Sequence, residues 1–431
     1  MGHRGRYPIA SVAAIVSGKR LSFHRDATPD DSVMPDHGGI AIRAAKIRKP
    51  PTMPLILNAE TQMVRDIALD FFRERAPIAA LRKLRDTADP DGFSRPLWRE
   101  MAELGWTGFL VAEDHGGTDF GLMGLAQVME AAGKTLTASP LVSTALVAAS
   151  AIGLAGSDGQ KSSHLPALVA GERIFALALE EGSRHQPHRI ATKAEKQGTG
   201  YKLSGQKTFV LDGHIADVLI VAARTAGGTN ERDGITLFLV PGDAPGVTRM
   251  RTIMIDSRNA ARVTLENVAV PAGAVLGRID GGADTLDRVL DRARAGLAAE
   301  MLGSAQEAFD RTVQYLKDRK QFGVVIGSFQ ALKHRAAQMF CEVELARSAV
   351  MAACSALDEN ANDAAALAVL AKEKANDTLD LCGNEGVQMH GGIGMTDEHE
   401  IGWFMKRARV ARASFGETAF CRDRYASLMG F

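Results

Sequence analysis

The stretch of the 431-residue sequence richest in chemistry is Arg319-Lys320-Gln321-Phe322-Gly323, followed shortly by Phe329-Gln330. A guanidinium is planar, always charged and able to grip a phosphate oxygen with a forked hydrogen bond. An isolated arginine at a helix end is ordinarily a solvated charge. Here Gln321, Phe322 and Gln330 add two amides and an aromatic face close by along the chain, the mixture a nucleotide site uses. A second stretch, Gln388-Met389-His390-Gly391-Gly392-Ile393-Gly394, offers backbone N–H groups unshielded by side chains. These can approach a pyrophosphate closely, with Gln388 as a further donor. On its own, a glycine pair after a helix is a C-cap and a loop. His390 has no carboxylate partner near it in sequence and reads as packing rather than as an acid or base. Cys341, Cys354, Cys382 and Cys421 are far apart and form no CxxC pair, so neither a disulfide framework nor a metal site is expected.

The elements that must carry these residues fall into three blocks. From Thr61 to Glu74 the apolar Met63, Ile67, Ala68, Phe71 and Phe72 recur at helical spacing, and Leu97–Leu104, Leu122–Gly133 and Ser139–Leu154 repeat the pattern. The last of these opens on Ser139-Pro140, suited to an N-cap and first turn. Residues 54–170 therefore read as a helical domain. Short β-prone runs follow at Ile174–Leu179, Ile190–Glu195, Gly200–Leu203, Lys207–Val210, Val218–Ala223, Ile235–Val240 and Arg262–Val270, the close spacing of an antiparallel domain at 171–278. Long helical periods return at Ala283–Arg319, Gln330–Leu357, Asn362–His390 and Glu398–Ala413, a C-terminal helical bundle at 279–431. The class is α+β. Strands do not alternate with helices, and no phosphate-binding turn joins a first strand to a first helix, which excludes a Rossmann fold.

Composition limits the function classes. Hydrophobic residues make up 46% and charged residues 24%, and 51 basic side chains balance 51 acidic ones, so charge draws the chain neither to nucleic acid nor to anionic lipid. No run approaches the ~18 apolar residues that span a bilayer, and the cysteine usage fits a reducing cytoplasm. Residues 1–52 are rich in Arg, Lys, His and Gly without apolar periodicity. They read as a disordered or mis-started extension, with Met53 the natural beginning. Asp26, Asp30, Asp31 and Asp36 argue against a transit peptide.

Glu113-Asp114-His115-Gly116-Gly117, Gly205-Gln206-Lys207-Thr208-Phe209-Val210 with Gly213 and Ala216-Asp217, the Arg319 motif and the Gln388 motif occur in that order. Together they resemble the acyl-CoA dehydrogenase family from about residue 55 onward. The texture is similar to small-subunit-type bacterial members such as pimeloyl-CoA dehydrogenase small subunits. The resemblance implies an N-terminal helical domain, a middle β domain and a C-terminal four-helix bundle. It also implies FAD bound between subunits of a tetramer or dimer, and electrons leaving to electron-transfer flavoprotein. Cofactor contacts are implied at Phe209, against the flavin ring, and at Arg319, Gln321, Phe322, Gln330, Gln388, Gly391, Gly392 and Thr418. Leu211 replaces the family's hydroxyl residue two positions after Phe209. The flavin-binding TEPGAGSD-like segment is altered to Leu179-Glu180-Glu181-Gly182-Ser183-Arg184-His185.

The family removes a proton next to the thioester with a carboxylate while a hydride passes to flavin N5. The usual Tyr-Glu-Gly-Thr-like segment is Phe415-Gly416-Glu417-Thr418 here, with Glu and Gly transposed, and the alternative position is Ala293. Glu417 is the expected catalytic residue and Glu300 the next candidate. Arg294 matches an arginine near the substrate thioester, with a helix-pairing arginine as the plain alternative. Three readings follow in order: a displaced base at Glu417; a base-lacking subunit of a heteromer; and a flavin-binding scaffold without dehydrogenase activity.

Overall fold

Asn58 turns the chain into its first helix by accepting the Thr61 N–H at 2.8 Å, in the computed structural model that describes residues 56–431. The expectation for residues 1–52 lies outside the described residues. Helix α1 (Ala59–Arg75) is followed by α2 (Ile78–Asp86), α3 (Arg95–Glu103) and α4 (Leu122–Lys134). Ser94 caps α3 with Pro96 in its first turn. Residues 141–155 form one helical run as expected, but Leu141–Ala148 are wound in the wider π register before α5 (Ala149–Ala155). Pro140 itself occupies the cap position and no side chain caps the run, contrary to the capping role expected of Ser139. Helix α6 (Asp158–Val169) opens on a reciprocal capping box between Ser157 and Gln160.

The middle block is one sheet of β1 (Phe175–Ala178), β2 (Lys193–Gln197), β3 (Gly200–Leu211), β4 (Val218–Arg224), β5 (Ile235–Pro241), β6 (Val247–Ile253), β7 (Asn259–Val270) and β8 (Val275–Leu276). The order is β6-β7-β3-β2-β4-β5-β8, with β1 beside β4. Two pairings are parallel, β1 with β4 and the single step of β2 with β4, so the sheet is mixed rather than wholly antiparallel. The chain leaves β1, makes the β2–β3 hairpin and returns alongside β1 in the same direction, and a connection this long permits a parallel pair. Strand β4 is buried along its whole length. Val218, Ile220 and Ala222 face one apolar cluster shared with the helices, while Leu219, Val221 and Ala223 face a second. The two runs expected at 200–203 and 207–210 are a single strand broken by irregularities at Leu203/Gly205 and Lys207/Val210.

Helix α7 (Gly282–Asp318) runs 37 residues, then a short hairpin of β9 (Lys320–Gln321) and β10 (Val324–Val325) leads to α8 (Gln330–Asp358). Helices α9 (Ala364–His390), α10 (Ile401–Ala413) and α11 (Thr418–Met429) complete the block. Helix α7 lies directly on α4. A Cβ on Gly303 would stand 1.8 Å from the Glu130 carbonyl oxygen, and one on Gly133 2.0 Å from that of Glu300, so both crossings require glycine. Among the described residues no helix is long and apolar enough to cross a membrane, no cluster has the make-up of a metal site, and the four cysteines are free.

Candidate active site

Where the π-register helix, the irregular part of β3 and the end of α10 meet, they enclose a cavity of about 380 Å³. The wide register sets Ser143 and Val147 on the face that lines it. The irregularity at Lys207/Val210 holds Phe209 at φ 50°, an uncommon conformation for a non-glycine residue, and leaves the residue 54% exposed at the cavity. Apolar side chains dominate the lining and a few polar groups punctuate it, the make-up of a small-molecule or cofactor site.

One wall is held by buried polar groups. Arg294 is fully buried and gives its N–H groups to Asp291 Oδ1 at 2.7 Å, the Phe415 carbonyl at 2.9 Å and His185 Nε2 at 3.2 Å. Among the described residues it does not line the cavity; His185 and Phe415 do. Arg294, expected at the substrate, is set behind the wall and touches it through His185 and Phe415. His185 Nε2 accepts from Arg294, so its Nδ1–H donates to Glu180 Oε1 at 2.5 Å, and burial pushes the imidazole below its ordinary pKa. Glu180 Oε2 takes the Gln186 N–H at 3.2 Å.

The end of α10 is fastened from behind. Lys372, fully buried, donates to Asn376 Oδ1 at 2.6 Å, to the carbonyls of Ala411 and Gly416 at 3.1 Å, and to that of Arg412 at 3.4 Å. Burial pushes its ammonium down to about 7. Gly416 sits at φ 123°, and a Cβ there would meet the Phe420 ring at 2.7 Å. Glu417 is exposed at the N-cap of α11, makes no capping bond, and is outside the lining. Glu300 is buried elsewhere, paired with Arg407 and Arg258 at 2.8 Å each, with Arg407 reaching Asp256 at 2.8 Å. Burial pushes its pKa up, but those guanidiniums win and hold it below the ordinary carboxylate value. Ala293 is buried in α7.

The other expected cofactor residues gather away from the lining. Arg319, Gln321, Phe322 and Gln330 are exposed on the β9–β10 hairpin and the start of α8, and the Phe322 ring is 91% exposed. Gln388, Gly391 and Gly392 are exposed where α9 ends, and Gly391 has φ 66° and ψ −141°, a glycine conformation. A Cβ on Gly391 or Gly392 would meet nothing within 4 Å, so their backbone is open to a ligand. Thr418 is different: it is buried and its hydroxyl donates to Asp377 at 3.0 Å. His390 donates from Nδ1 to the Gly386 carbonyl at 2.6 Å and stacks on Tyr315, in keeping with packing. An apolar cavity with a projecting aromatic ring, together with an exposed arginine and open glycine backbone, fits the ring and phosphate ends of FAD.

Two groups at the site gave no sign in the sequence. Asp212, at φ 55°, accepts the Ser143 hydroxyl at 2.6 Å and is pushed up to about 6 by burial. Lys372 stands in a helical stretch with Lys374 close by, where nothing in composition separates the buried lysine from its neighbour.

The acyl-CoA dehydrogenase N-terminal, middle and C-terminal domain models match residues 58–172, 176–268 and 280–429. A probable acyl-CoA dehydrogenase of Bacillus subtilis is 31% identical over 377 residues, 85% of this chain and 97% of that protein. A variant of the Tcur3481–Tcur3483 steroid ACAD is 32% identical with a TM-score of 0.78, covering 86% of this chain and 97% of that one. Butyryl-CoA dehydrogenase from Megasphaera elsdenii is 26% identical with a TM-score of 0.81, covering 88% and 100%. With all three domain models matched in order over the described fold, the chain belongs to the acyl-CoA dehydrogenase family of FAD-dependent oxidoreductases.

Proposed function

We propose that the chain takes part in the α,β-dehydrogenation of an acyl-CoA thioester, with the cavity beneath Phe209 as the reaction chamber. The observation that carries this is an apolar cavity walled by all three parts of the fold, the setting in which an acyl chain and a ring can lie together away from water. FAD supplies the hydride acceptor when bound. Phe209 offers it a ring face, and Arg319, Gln388 and the Gly391–Gly392 backbone offer its phosphates donors. Arg294 and Lys372 position the chamber's wall by holding His185, Phe415 and Gly416. Electron-transfer flavoprotein is the proposed acceptor of the electrons.

Proton removal beside the thioester needs a carboxylate, and Glu417 is the proposed base in the first reading. In the second, this chain is the base-lacking subunit of a heteromer with another dehydrogenase-like chain. Two observations favour the second: Glu417 is exposed and off the lining, and Gly416 is in a backbone conformation that disfavours any side chain. The similar Tcur3481–Tcur3483 structure is itself named for two components.

Anaerobic titration with a panel of acyl-CoAs, read as flavin bleaching, separates the readings. If Glu417 is the base, the chain alone bleaches and Glu417→Gln slows it by ~10²-fold or more with FAD still bound. Bleaching at an unchanged rate in the variant excludes Glu417. Bleaching only after a second subunit is added establishes the heteromer.

A further inference from the structure

Glu180 is, among the described residues, the one carboxylate in the lining of the cavity. It is held there by two donors on different oxygens, the His185 imidazole and the Gln186 backbone N–H. Neither donor is a cation: Arg294 occupies the far nitrogen of His185, which keeps that ring neutral. Arg294 in turn is matched by Asp291 at 2.7 Å, and the buried Lys207 pairs with Glu181 at 2.7 Å while also feeling the charge of Glu180, so two carboxylates share that one buried ammonium. The other charged groups lining the cavity are Arg184 and Arg409. Arg184 is exposed, and the Arg409 side chain is 55% exposed and faces Asp380 at 3.5 Å. Solvent screens both more than it screens Glu180, whose side chain is 21% exposed. The carbonyl of Glu180 accepts the Thr208 N–H at 2.7 Å, which places it directly beside the strand irregularity that projects Phe209.

We infer that Glu180, fixed by the Asp291–Arg294–His185 chain, is a potential-setting residue whose anionic carboxylate makes the flavin in this cavity harder to reduce. This rests on the reading of the cavity as the seat of the flavin ring. Reduction adds negative charge to the ring system, and a fixed anion in a site of low dielectric opposes that addition wherever along the ring edge it lies. The direction of the effect is therefore set by charge alone. The same arrangement gives His185 and Arg294 a task that core packing does not: they hold a carboxylate in place on the wall of a largely apolar chamber.

The test is the midpoint potential of the FAD-loaded full chain, measured by reductive titration against indicator dyes. Glu180→Gln, which keeps the shape and removes the charge, should ease reduction by tenfold or more, about 30 mV for a two-electron couple. Glu180→Asp, which keeps the charge, should stay close to wild type. If the Gln variant does not retain FAD, Glu180→Ala is measured in its place with the same expectation. Loss of FAD from both would make Glu180 a binding element and overturn the inference, as would equal shifts in the Gln and Asp variants. Phe209→Ala separates the premises. A potential that responds to Phe209→Ala but not to Glu180→Gln removes the role of Glu180 alone, and one that responds to neither removes the flavin ring from this cavity as well.

Discussion

Two buried side chains, Lys372 and Asn376, share the carbonyl of Gly416 at 3.1 and 3.3 Å, and this holds the turn between α10 and α11. The last carbonyls of a helix lack partners within it, and a buried ammonium satisfies those of Ala411 and Arg412 along with Gly416. Lys372→Met should lower stability by about 2 kcal/mol or more, since unsatisfied buried carbonyls cost roughly 1–3 kcal/mol each. The effect carries a pH signature. The unfolded lysine holds its proton to about 10.4, whereas the folded one releases it near 7. Between those values the unfolded state binds more protons, so the lysine's contribution to stability rises with pH. Urea midpoints of wild type and Lys372→Met should therefore draw further apart from pH 7 to pH 9, and a constant separation would show that the folded lysine stays charged. Sequence could identify Arg294 and Glu417 as family positions because their residue types and neighbours are distinctive. It could not show that Arg294 spends its donors on Asp291, His185 and the Phe415 carbonyl, or that Glu417 points to solvent, because both depend on how α7, α10 and α11 meet. Thr418 was expected at the cofactor for the same reason and proved committed to Asp377.

Elements were more legible than contacts, since helical periodicity survives in any well-packed helix. The starts of α1, α4 and α8 and the long span of α7 all lie near the periods read from sequence. The departures have local causes. Strand β6, Val-Thr-Arg-Met-Arg-Thr-Ile, lies at the sheet edge with partly exposed side chains, so it lacks the apolar run that marks a strand. The π register of Leu141–Ala148 has no distinct apolar signature because all eight residues are buried. Strand β3 carries two irregularities: the one at Leu203/Gly205 falls where the sequence showed two separate runs, and the one at Lys207/Val210 turns Phe209 into the cavity. The contact that most constrains the helices is the glycine crossing of α4 and α7. Gly303→Ala would drive a methyl to 1.8 Å from the Glu130 carbonyl, and moving that backbone would disturb the Ser304 hydroxyl bond to Gly133 at 2.8 Å. Overpacking of this kind costs on the order of 1–3 kcal/mol. The expected result is a lower urea midpoint with an unchanged slope, and a midpoint equal to wild type would mean that the helices separate freely.

Across the whole molecule the residues that fit FAD divide into two sets in different places. Phe209 and the cavity wall line one chamber, whereas Arg319, Gln321, Phe322, Gln330, Gln388, Gly391 and Gly392 lie outside its lining and are exposed. A ring at 91% exposure and a guanidinium turned to solvent give little binding on their own, so their place in the proposed site requires a surface that closes over them. A second subunit would supply such a surface, and FAD shared between chains would then link cofactor retention to assembly by mass action. Arg319→Ala tests this at a position whose loss should not disturb the fold, because the residue is exposed and it caps α7 through its backbone N–H, which alanine keeps. The variant should release FAD more readily and shift to a smaller species at the same protein concentration, read by flavin absorbance and light scattering on one sample. Added FAD should reverse both changes together. If the variant keeps full flavin occupancy and its assembly, Arg319 is not the phosphate clamp. If it loses flavin with the assembly intact, the clamp stands but FAD does not hold the subunits together.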